Sequence, residues 1–146
     1  MSIVIDCSIW LAASLGENDR PEANKIIEQI NNQHLDAVVP QLFYIESANV
    51  IVNKVRKEQF SPSHGLELLQ QLHLLPVELD DDINLFSASE TAMEYRITVC
   101  DAVYLQTAIK HNTKLASLDG KLAKAAEKAG RLFNGQVAPL RAVSKI

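Results

Sequence analysis

Short runs of apolar residues alternate along this chain with longer segments that have the periodicity of helices. The runs cover residues 3–5, 37–39, 74–79 and 115–118. Each is too brief for a helix and is rich in Ile, Val, Leu or Ala, which is typical of a strand buried on both faces. Strands that alternate with helices in this way predict an α/β fold with a mainly parallel sheet. Pro76 favours an edge position for the third run, because proline cannot donate a hydrogen bond to a strand ladder.

The segments between these runs carry start and stop signals of helices. The signals are prolines in first turns, capping side chains and a terminal glycine, at Pro21, Ser61, Pro62, residues 80–82, Thr98 and Gly130. They predict helices that begin at 21, span 41–57, begin at 61, run from 80–82 to about 95, and span 101–111 and 120–128. In the helix over 41–57, five residues are spaced for burial: Leu42, Ile45, Ala48, Val52 and Val55. Residues 134–146 have weak periodicity and are left unassigned.

The composition narrows the class of protein. A length of 146 residues suits one domain over residues 1–146, and a net charge of −4 excludes a protein that holds nucleic acid by bulk positive charge. Cys7 and Cys100 form no CxxC pair, which argues against a zinc finger or a disulfide framework and favours a reducing compartment. The apolar N-terminus contains Asp6 but no preceding Lys or Arg, unlike a signal peptide. Since no charge-free run approaches the length of a membrane span, we expect a cytoplasmic protein without membrane contact.

Four acidic residues are expected at one end of the predicted sheet. Asp6 and Asp119 directly follow predicted strands, whereas Glu46 and Asp101 lie near the starts of predicted helices. In a parallel α/β unit, the carboxyl ends of strands and the amino ends of helices share one edge, where binding sites gather. Taken singly, each acid is more often a cap, a turn residue or a solvated helix residue. Together they predict a cluster of carboxylates at that edge.

The sequence around these acids indicates how their charge is balanced. Apolar residues surround Asp6 and Asp101 and lie on the helix face of Glu46, and few basic residues adjoin them. Ionised carboxylates in apolar surroundings are costly unless they are paired, so a metal ion is the natural counter-charge. Carboxylate oxygens suit Mg²⁺ or Mn²⁺ rather than softer metals. Such an ion activates water and neutralises charge on a phosphoryl group, which suits the cleavage of phosphodiester bonds.

The segments that carry the four acids resemble the four motifs of PIN domains, in order, from residue 4 to about residue 130. The motifs are Val4-Ile5-Asp6-Cys7-Ser8, Glu46-Ser47-Ala48-Asn49-Val50, Asp101-Ala102-Val103-Tyr104-Leu105-Gln106-Thr107-Ala108 and Leu115-Ala116-Ser117-Leu118-Asp119. The size of the chain and the short distance between the third and fourth motifs look most like the VapC-type toxins of prokaryotic toxin–antitoxin pairs. The resemblance implies a three-layer α/β/α fold with a central, mainly parallel sheet.

The resemblance also implies an activity and partners. VapC-type proteins are Mg²⁺- or Mn²⁺-dependent endoribonucleases that leave a 5′-phosphate and a 3′-hydroxyl. They are usually homodimers, and a cognate antitoxin inhibits them by inserting a segment into the active site. Carried over to this chain, the metal-binding and catalytic acids are Asp6, Glu46, Asp101 and Asp119. The supporting residues are Asn49 and, at the family's hydroxyl positions, Ser8 and Ser117. Thr is commoner than Ser at the position of Ser117.

A stripe of basic residues follows the last acid. Lys121, Lys124, Lys128 and Arg131 are spaced at three, four and three residues, on one face of the predicted last helix. The stripe either contacts the backbone of an RNA or is a solvated helix face.

Two rival functions differ from a nuclease in what the sequence must contain. A catalytically inactive PIN-like module that binds RNA or a protein does not need the four acids, yet all four are present. A phosphohydrolase of the haloacid dehalogenase class also begins with a strand and an Asp, but it needs a second Asp where this chain has Ser8. No P-loop or GxGxxG run indicates a nucleotide-binding enzyme.

Overall fold

Four parallel strands form one sheet in a computed structural model, which describes residues 2–16 and 20–135. Their order across the sheet is β3-β2-β1-β4, where the strands are β1 (Ser2–Ile5), β2 (Asp36–Pro40), β3 (Glu78–Asp80) and β4 (Lys114–Ala116). Val4 of β1 is level with Val38 of β2 and with Leu115 of β4. The predicted parallel sheet is confirmed, and β3, the strand that follows Pro76, lies at its edge.

The helices connect these strands in two packed groups. They are α1 (Cys7–Ser14), α2 (Pro21–Asn31), α3 (Leu42–Arg56), α4 (Pro62–Leu74), α5 (Leu85–Tyr95), α6 (Val99–Lys110) and α7 (Gly120–Lys128). In one group α1 packs on α2 and α3, and α3 packs on α4, whereas in the other α6 packs on α5 and α7. None of the helices in the described residues is long and apolar enough to cross a membrane.

The handedness of the connections places the two groups on opposite faces of the sheet. Connections between parallel strands are right-handed in almost all proteins. The links from β1 to β2 and from β2 to β3 move in one direction across the sheet, and the link from β3 to β4 moves back. Its helices therefore cover the other face, and the result is the expected three-layer α/β/α fold. Because both faces are covered, Ile3, Val4 and Ile5 of β1 are completely buried.

The sequence pattern does not reveal α1. This helix begins one residue after β1, and its residues are apolar over most of its circumference, with Ile9, Trp10 and Ala12 all buried. A helix that is apolar all round has no amphipathic period by which it can be recognised. Its N-cap is Asp6, a role that the sequence allows for an acid directly after a strand.

The third strand and the helix after it begin later than the sequence predicts. The strand covers residues 78–80 rather than 74–79, because α4 continues through Leu74. Helix α5 begins at Leu85 and is capped by Asn84, so the prediction that residues 80–82 cap it is wrong. Asp80 instead lies in β3 and contacts the end of α6, where Lys110 Nζ lies 3.1 Å and His111 Nε2 lies 2.6 Å from its Oδ2.

The face that α3 turns to the core also differs from the prediction. Phe43, Ser47 and Ile51 are buried, whereas Ile45 is 60% exposed and Val52 is 42% exposed. Apolar residues occur on more than one face of this helix, so the spacing alone did not define which face packs on the sheet.

The chain returns to the sheet after α7. The backbone N–H of Leu115 donates to Arg131 O at 2.6 Å, and the N–H of Phe133 donates to Leu115 O at 2.9 Å. Phe133 is buried against the core. Of the segment that the sequence left unassigned, residues 136–146 lie outside the described part of the chain.

Gly65 allows the close approach of α4 to α3. A Cβ atom at this position would lie 2.7 Å from Val55 Cγ2, and the β-branched Val55 has few rotamers with which to move away. Gly65→Val is expected to lower the free energy of unfolding by about 1–3 kcal/mol, measured by denaturant titration. Gly120→Val is the control, since a Cβ there meets no atom within 4 Å. Equal losses in the two variants would contradict the close packing.

Candidate active site

Asp6 lies where the order of the strands reverses. The chain leaves β1 toward β2 on one side, and β4 later returns on the other side of β1. Such a switch point opens a crevice beyond the carboxyl ends of the strands. The backbone N–H of Asp6 donates to Ala116 O, the last residue of β4, at 3.3 Å. The residues that follow β4 are thereby brought beside Asp6.

Two serine hydroxyls hold the Asp6 carboxylate. Ser8 Oγ donates to Oδ1 at 2.5 Å, and Ser117 Oγ donates to Oδ2 at 2.5 Å. The same two hydroxyl oxygens accept backbone N–H groups, Ser8 from Leu118 at 2.9 Å and Ser117 from Asp119 at 3.0 Å. Asp6 Oδ1 also accepts the N–H of Ser8 at 3.1 Å and so caps α1. This network joins the start of α1 to the loop after β4 and gives Asp6 a defined orientation.

The burial of Asp6 changes its acidity. Only 4% of the residue is exposed. Burial raises its pKa from 3.8 to about 6, although the hydrogen bonds from Ser117 and Ser8 favour the charged form and lower it. The carboxylate is therefore ionised near neutral pH but poorly solvated, a state that a bound cation would relieve.

Glu46 lies in the second turn of α3, and two donors meet its carboxylate. Tyr104 of α6 donates its hydroxyl to Glu46 Oε1 at 2.6 Å, and Cys7 Sγ lies 3.7 Å from the same oxygen. Burial and the neighbouring Glu46 charge raise the pKa of Tyr104 far above its ordinary value and that of Cys7 to about 12. Both groups therefore keep their protons, and both orient Glu46 as hydrogen-bond donors.

Asp101 and Asp119 lie at the N-termini of α6 and α7. Thr98 caps α6, as predicted, by accepting the N–H of Asp101 at 3.0 Å. Asp119 caps α7, and its Oδ1 accepts the N–H groups of Lys121 and Leu122 at 2.9 and 3.1 Å. Both carboxylates are stabilised by a helix dipole. Oδ2 of Asp119 accepts no hydrogen bond from the described residues, so one carboxylate oxygen of Asp119 remains for a ligand.

The charges of Asp119 and Glu46 act on Asp101. Burial raises the pKa of Asp101, and the negative charges of Asp119 and Glu46 raise it further. A hydrogen bond with Thr98 and the positive charge of Lys121 act in the opposite direction. The fold thus places Asp101, Asp119 and Glu46 in one electrostatic neighbourhood. Asp6 lies next to these acids, because its carboxylate accepts a hydrogen bond from Ser117, two residues before Asp119. The charges of both Asp6 and Glu46 also raise the pKa of Cys7.

The four acids offer a metal ion carboxylate oxygens that have no protein counter-charge in the described ranges. Within the described ranges, none of the four acids forms a salt bridge with Lys, Arg or His. No group of three or more His, Cys, Asp or Glu side chains in those ranges is arranged so that the group as a whole could hold a metal ion. Mg²⁺ usually takes only one or two carboxylates and completes its shell with water. Uncompensated carboxylate oxygens therefore fit a hard, partly hydrated divalent ion rather than a metal that needs a closed cage.

The remaining residues that the sequence singled out lie around this centre or away from it. Asn49 is exposed and makes no hydrogen bond with a described residue. Lys121, Lys124 and Lys128 are exposed along α7. Arg131 lies beyond the end of that helix, and its guanidinium donates to Asn112 Oδ1 at 2.9 Å, so the basic face of the helix ends at Lys128.

Two contacts of the site escape sequence reasoning. Tyr104 lies within the third motif and Cys7 within the first, but neither was assigned to Glu46, from which they are separated by 58 and 39 residues. A tyrosine in an otherwise apolar helical segment was the one available signal, because a buried tyrosine hydroxyl generally needs a partner.

Comparisons with known proteins agree with this fold. The family model described as PIN domain matches residues 3–128. This match covers most of the chain, and the protein therefore belongs to the PIN domain family. Proteins of this family are generally nucleases and typically use divalent metal ions.

Solved structures show the same fold at low sequence identity. PAE2754 from Pyrobaculum aerophilum has a TM-score of 0.73 and 16% identity, over 99% of this chain and 97% of its own. VapBC2 from Rickettsia felis, solved bound to a DNA fragment from its promoter, has a TM-score of 0.64 and 16% identity, over 91% of this chain and 96% of its own. No curated protein matched the sequence.

The acidity of Asp6 predicts how stability depends on pH when no metal is bound. Its pKa in the folded chain, about 6, lies above the ordinary 3.8, so the folded state binds the proton more tightly than the unfolded state. Stability is therefore lost as the pH rises through this interval, by up to about 3 kcal/mol. Asp6→Asn, which still caps α1, should be more stable than the wild type by about 1–3 kcal/mol at neutral pH, and this advantage should vanish in acid. Denaturant titration in EDTA, at neutral and at acid pH, measures the free energy of unfolding of the variant and of the wild type. If the difference between the two proteins did not depend on pH, the raised pKa of Asp6 would be contradicted.

Proposed function

We propose that this protein is a metal-dependent endoribonuclease that hydrolyses RNA phosphodiester bonds with water as the nucleophile. The observation that carries the proposal is the group of uncompensated carboxylates at the switch point, formed by Asp6, Glu46, Asp101 and Asp119. In a family whose members are generally nucleases, carboxylates without a protein counter-charge suit a divalent ion and a phosphate.

The four acids are proposed to bind the metal ion and to take part in proton transfer. Asp6 and Asp101, with Glu46 and Asp119, would hold one or two Mg²⁺ or Mn²⁺ ions. When bound, such an ion polarises a phosphoryl oxygen and makes water a better nucleophile at neutral pH. The serine hydroxyls that orient Asp6 and the Tyr104 hydroxyl that orients Glu46 keep these carboxylates in place, and one of the four acids accepts the proton of the attacking water.

The protein is further proposed to be the toxin of a toxin–antitoxin pair that acts on RNA in the cytoplasm. Support comes from the similarity to VapBC2, a toxin–antitoxin complex. A cognate antitoxin would inhibit this chain at the crevice. A homodimer is supported by apolar side chains that are 64–74% exposed on one helix, α5, because a group of exposed apolar side chains marks interfaces. These side chains are Leu85, Phe86 and Met93.

A second candidate function is a PIN module that binds RNA or a protein without cutting. It is favoured by one observation, namely that no three acidic, His or Cys side chains of the described residues enclose an ion. Binding of Mn²⁺, measured by calorimetry, separates the two candidates. A nuclease requires the ion, whereas a binding module does not.

Replacement of Asp101 tests the nuclease. Asp101→Asn removes a carboxylate from the centre, and it should reduce metal-dependent cleavage of total cellular RNA by about 100-fold or more while the circular dichroism spectrum stays unchanged. Asp36→Asn is the control, since this exposed acid is the first residue of β2 and lies at the amino ends of the strands, opposite the four acids. EDTA should abolish the fragments, and only the wild type and the control should arrest growth when expressed alone. Undiminished cleavage by Asp101→Asn would remove this residue from the site.

Replacement of Tyr104 tests the orientation of Glu46. Tyr104→Phe removes one hydroxyl and should lower kcat by about tenfold and raise the Mg²⁺ concentration for half-maximal rate, with KM for RNA and the melting temperature little changed. Tyr44→Phe is a matched control, because Tyr44 is half-buried and its hydroxyl bonds no described residue. If both variants behaved alike, the Tyr104 hydroxyl would have no part in positioning Glu46.

A further inference from the structure

A hollow of about 180 Å³ lies between α7 and the end of α5, and we infer that it binds the single-stranded RNA substrate beside the cleavage centre. The residues that line it are Tyr95, Arg96, Ile97, Lys121, Lys124, Ala125 and Lys128. The inference rests on the proposed function and adds to it a substrate-binding surface. Sequence reasoning marked only the lysines, since Tyr95 and Arg96 come from a helix end 25 residues or more away in the chain.

The positive side chains of the hollow form no salt bridge with an acid in the described part of the chain. Arg96, Lys121, Lys124 and Lys128 are all exposed, and none lies within salt-bridge distance of an acid in the described residues. Four like charges around one small hollow repel one another. An anion that enters the hollow relieves this repulsion, and phosphate groups bound by Lys and Arg are the main source of affinity in nucleic-acid complexes.

The hollow adjoins the acidic centre. Lys121 lies in the first turn of α7, and its backbone N–H is held by Asp119 Oδ1 at 2.9 Å. The positive charge of Lys121 also lowers the pKa of Asp101, so the two side chains are close enough to interact. From Lys121 to Lys128 the helix rises about 10 Å, a length that matches about three phosphates of a stacked strand. A strand that lies along α7 would thus lead directly to the acids.

The other residues that line the hollow are apolar or aromatic. Tyr95 and Ile97 are half-buried and pack against the main core, and Ala125 is buried. An aromatic ring beside cations is typical of sites for single-stranded nucleic acid, where bases stack while the phosphates are held electrostatically. An acidic peptide would use the cations but would have no need of the ring. The combination therefore favours RNA as the occupant.

The test measures binding separately from cleavage. In the Asp101→Asn background, fluorescence anisotropy of a labelled single-stranded RNA is recorded with Mg²⁺ over a series of NaCl concentrations. Lys124→Gln/Lys128→Gln should weaken binding and reduce the slope of log K against log salt by about 1.4, which corresponds to two phosphate contacts. Tyr95→Leu should weaken binding about tenfold and leave that slope unchanged.

A charge-matched control distinguishes a local site from a general effect of charge. Lys25→Gln/Lys57→Gln also removes two positive charges, at exposed positions on α2 and just after α3. It should bind RNA as the background protein does. Equal effects of the two lysine pairs would overturn the inference. It would also be overturned if the hollow variants kept their RNA affinity but lost affinity for polyglutamate, which would assign the hollow to an acidic protein segment.

The same variants separate a failure of this inference from a failure of the proposed function. If protein with an intact Asp101 cuts RNA but the hollow variants bind RNA like the control, the nuclease stands and the hollow is not its substrate site. If that protein leaves RNA uncut with Mg²⁺ and Mn²⁺ while the hollow variants still lose affinity, the nuclease fails and the RNA site stands.

Discussion

The buried carboxylate of Asp6 is the feature on which the site depends. Because helices cover both faces of the sheet, the chain is still inside the protein when β1 ends, and Asp6 lies there with only 4% of its surface exposed. A buried charge without hydrogen bonds is very costly. The hydroxyls of Ser8 and Ser117 reduce this cost, and each also binds a backbone N–H of the loop after β4. The requirement to solvate one carboxylate thereby defines how α1, β4 and α7 meet.

The second important feature of the crevice is the distribution of charge around it. The acids of the centre have no basic partner in the described structure, and the cations along α7 and at Arg96 have no acidic partner there. Lys121 influences Asp101 but does not form a salt bridge with it. Opposite charges that lie near one another without pairing remain available to ligands of either sign. Such an arrangement suits the joint binding of a divalent cation and a phosphate backbone, which is what the cleavage of RNA requires.

Particular elements show how far local patterns reach. The buried strands, the proline in the first turn of α2 and the cap at Thr98 were predictable, since each depends on a few neighbouring residues. The helix α1 was not, because a helix apolar on all sides has no period. The start of α5 was misjudged because Asp80, a good capping residue, is used instead by Lys110 and His111. The buried face of α3 was misjudged because its apolar residues lie on several faces, and only packing selects one of them.

The sequence by itself determined the alternation of strands and helices and the position of an acid after β1, after β4 and near the starts of α3 and α6. These features follow from residue order, hydrophobic period and capping chemistry, which act over a few residues. Only the tertiary structure decided which groups meet these acids. Tyr104 reaches Glu46 across 58 residues, Ser117 reaches Asp6 across 111, and Arg96 joins the lysines of α7 around one hollow. Such contacts arise when the sheet pairs and the helices pack, and no local pattern encodes them, because each contact depends on the position of both partners in space.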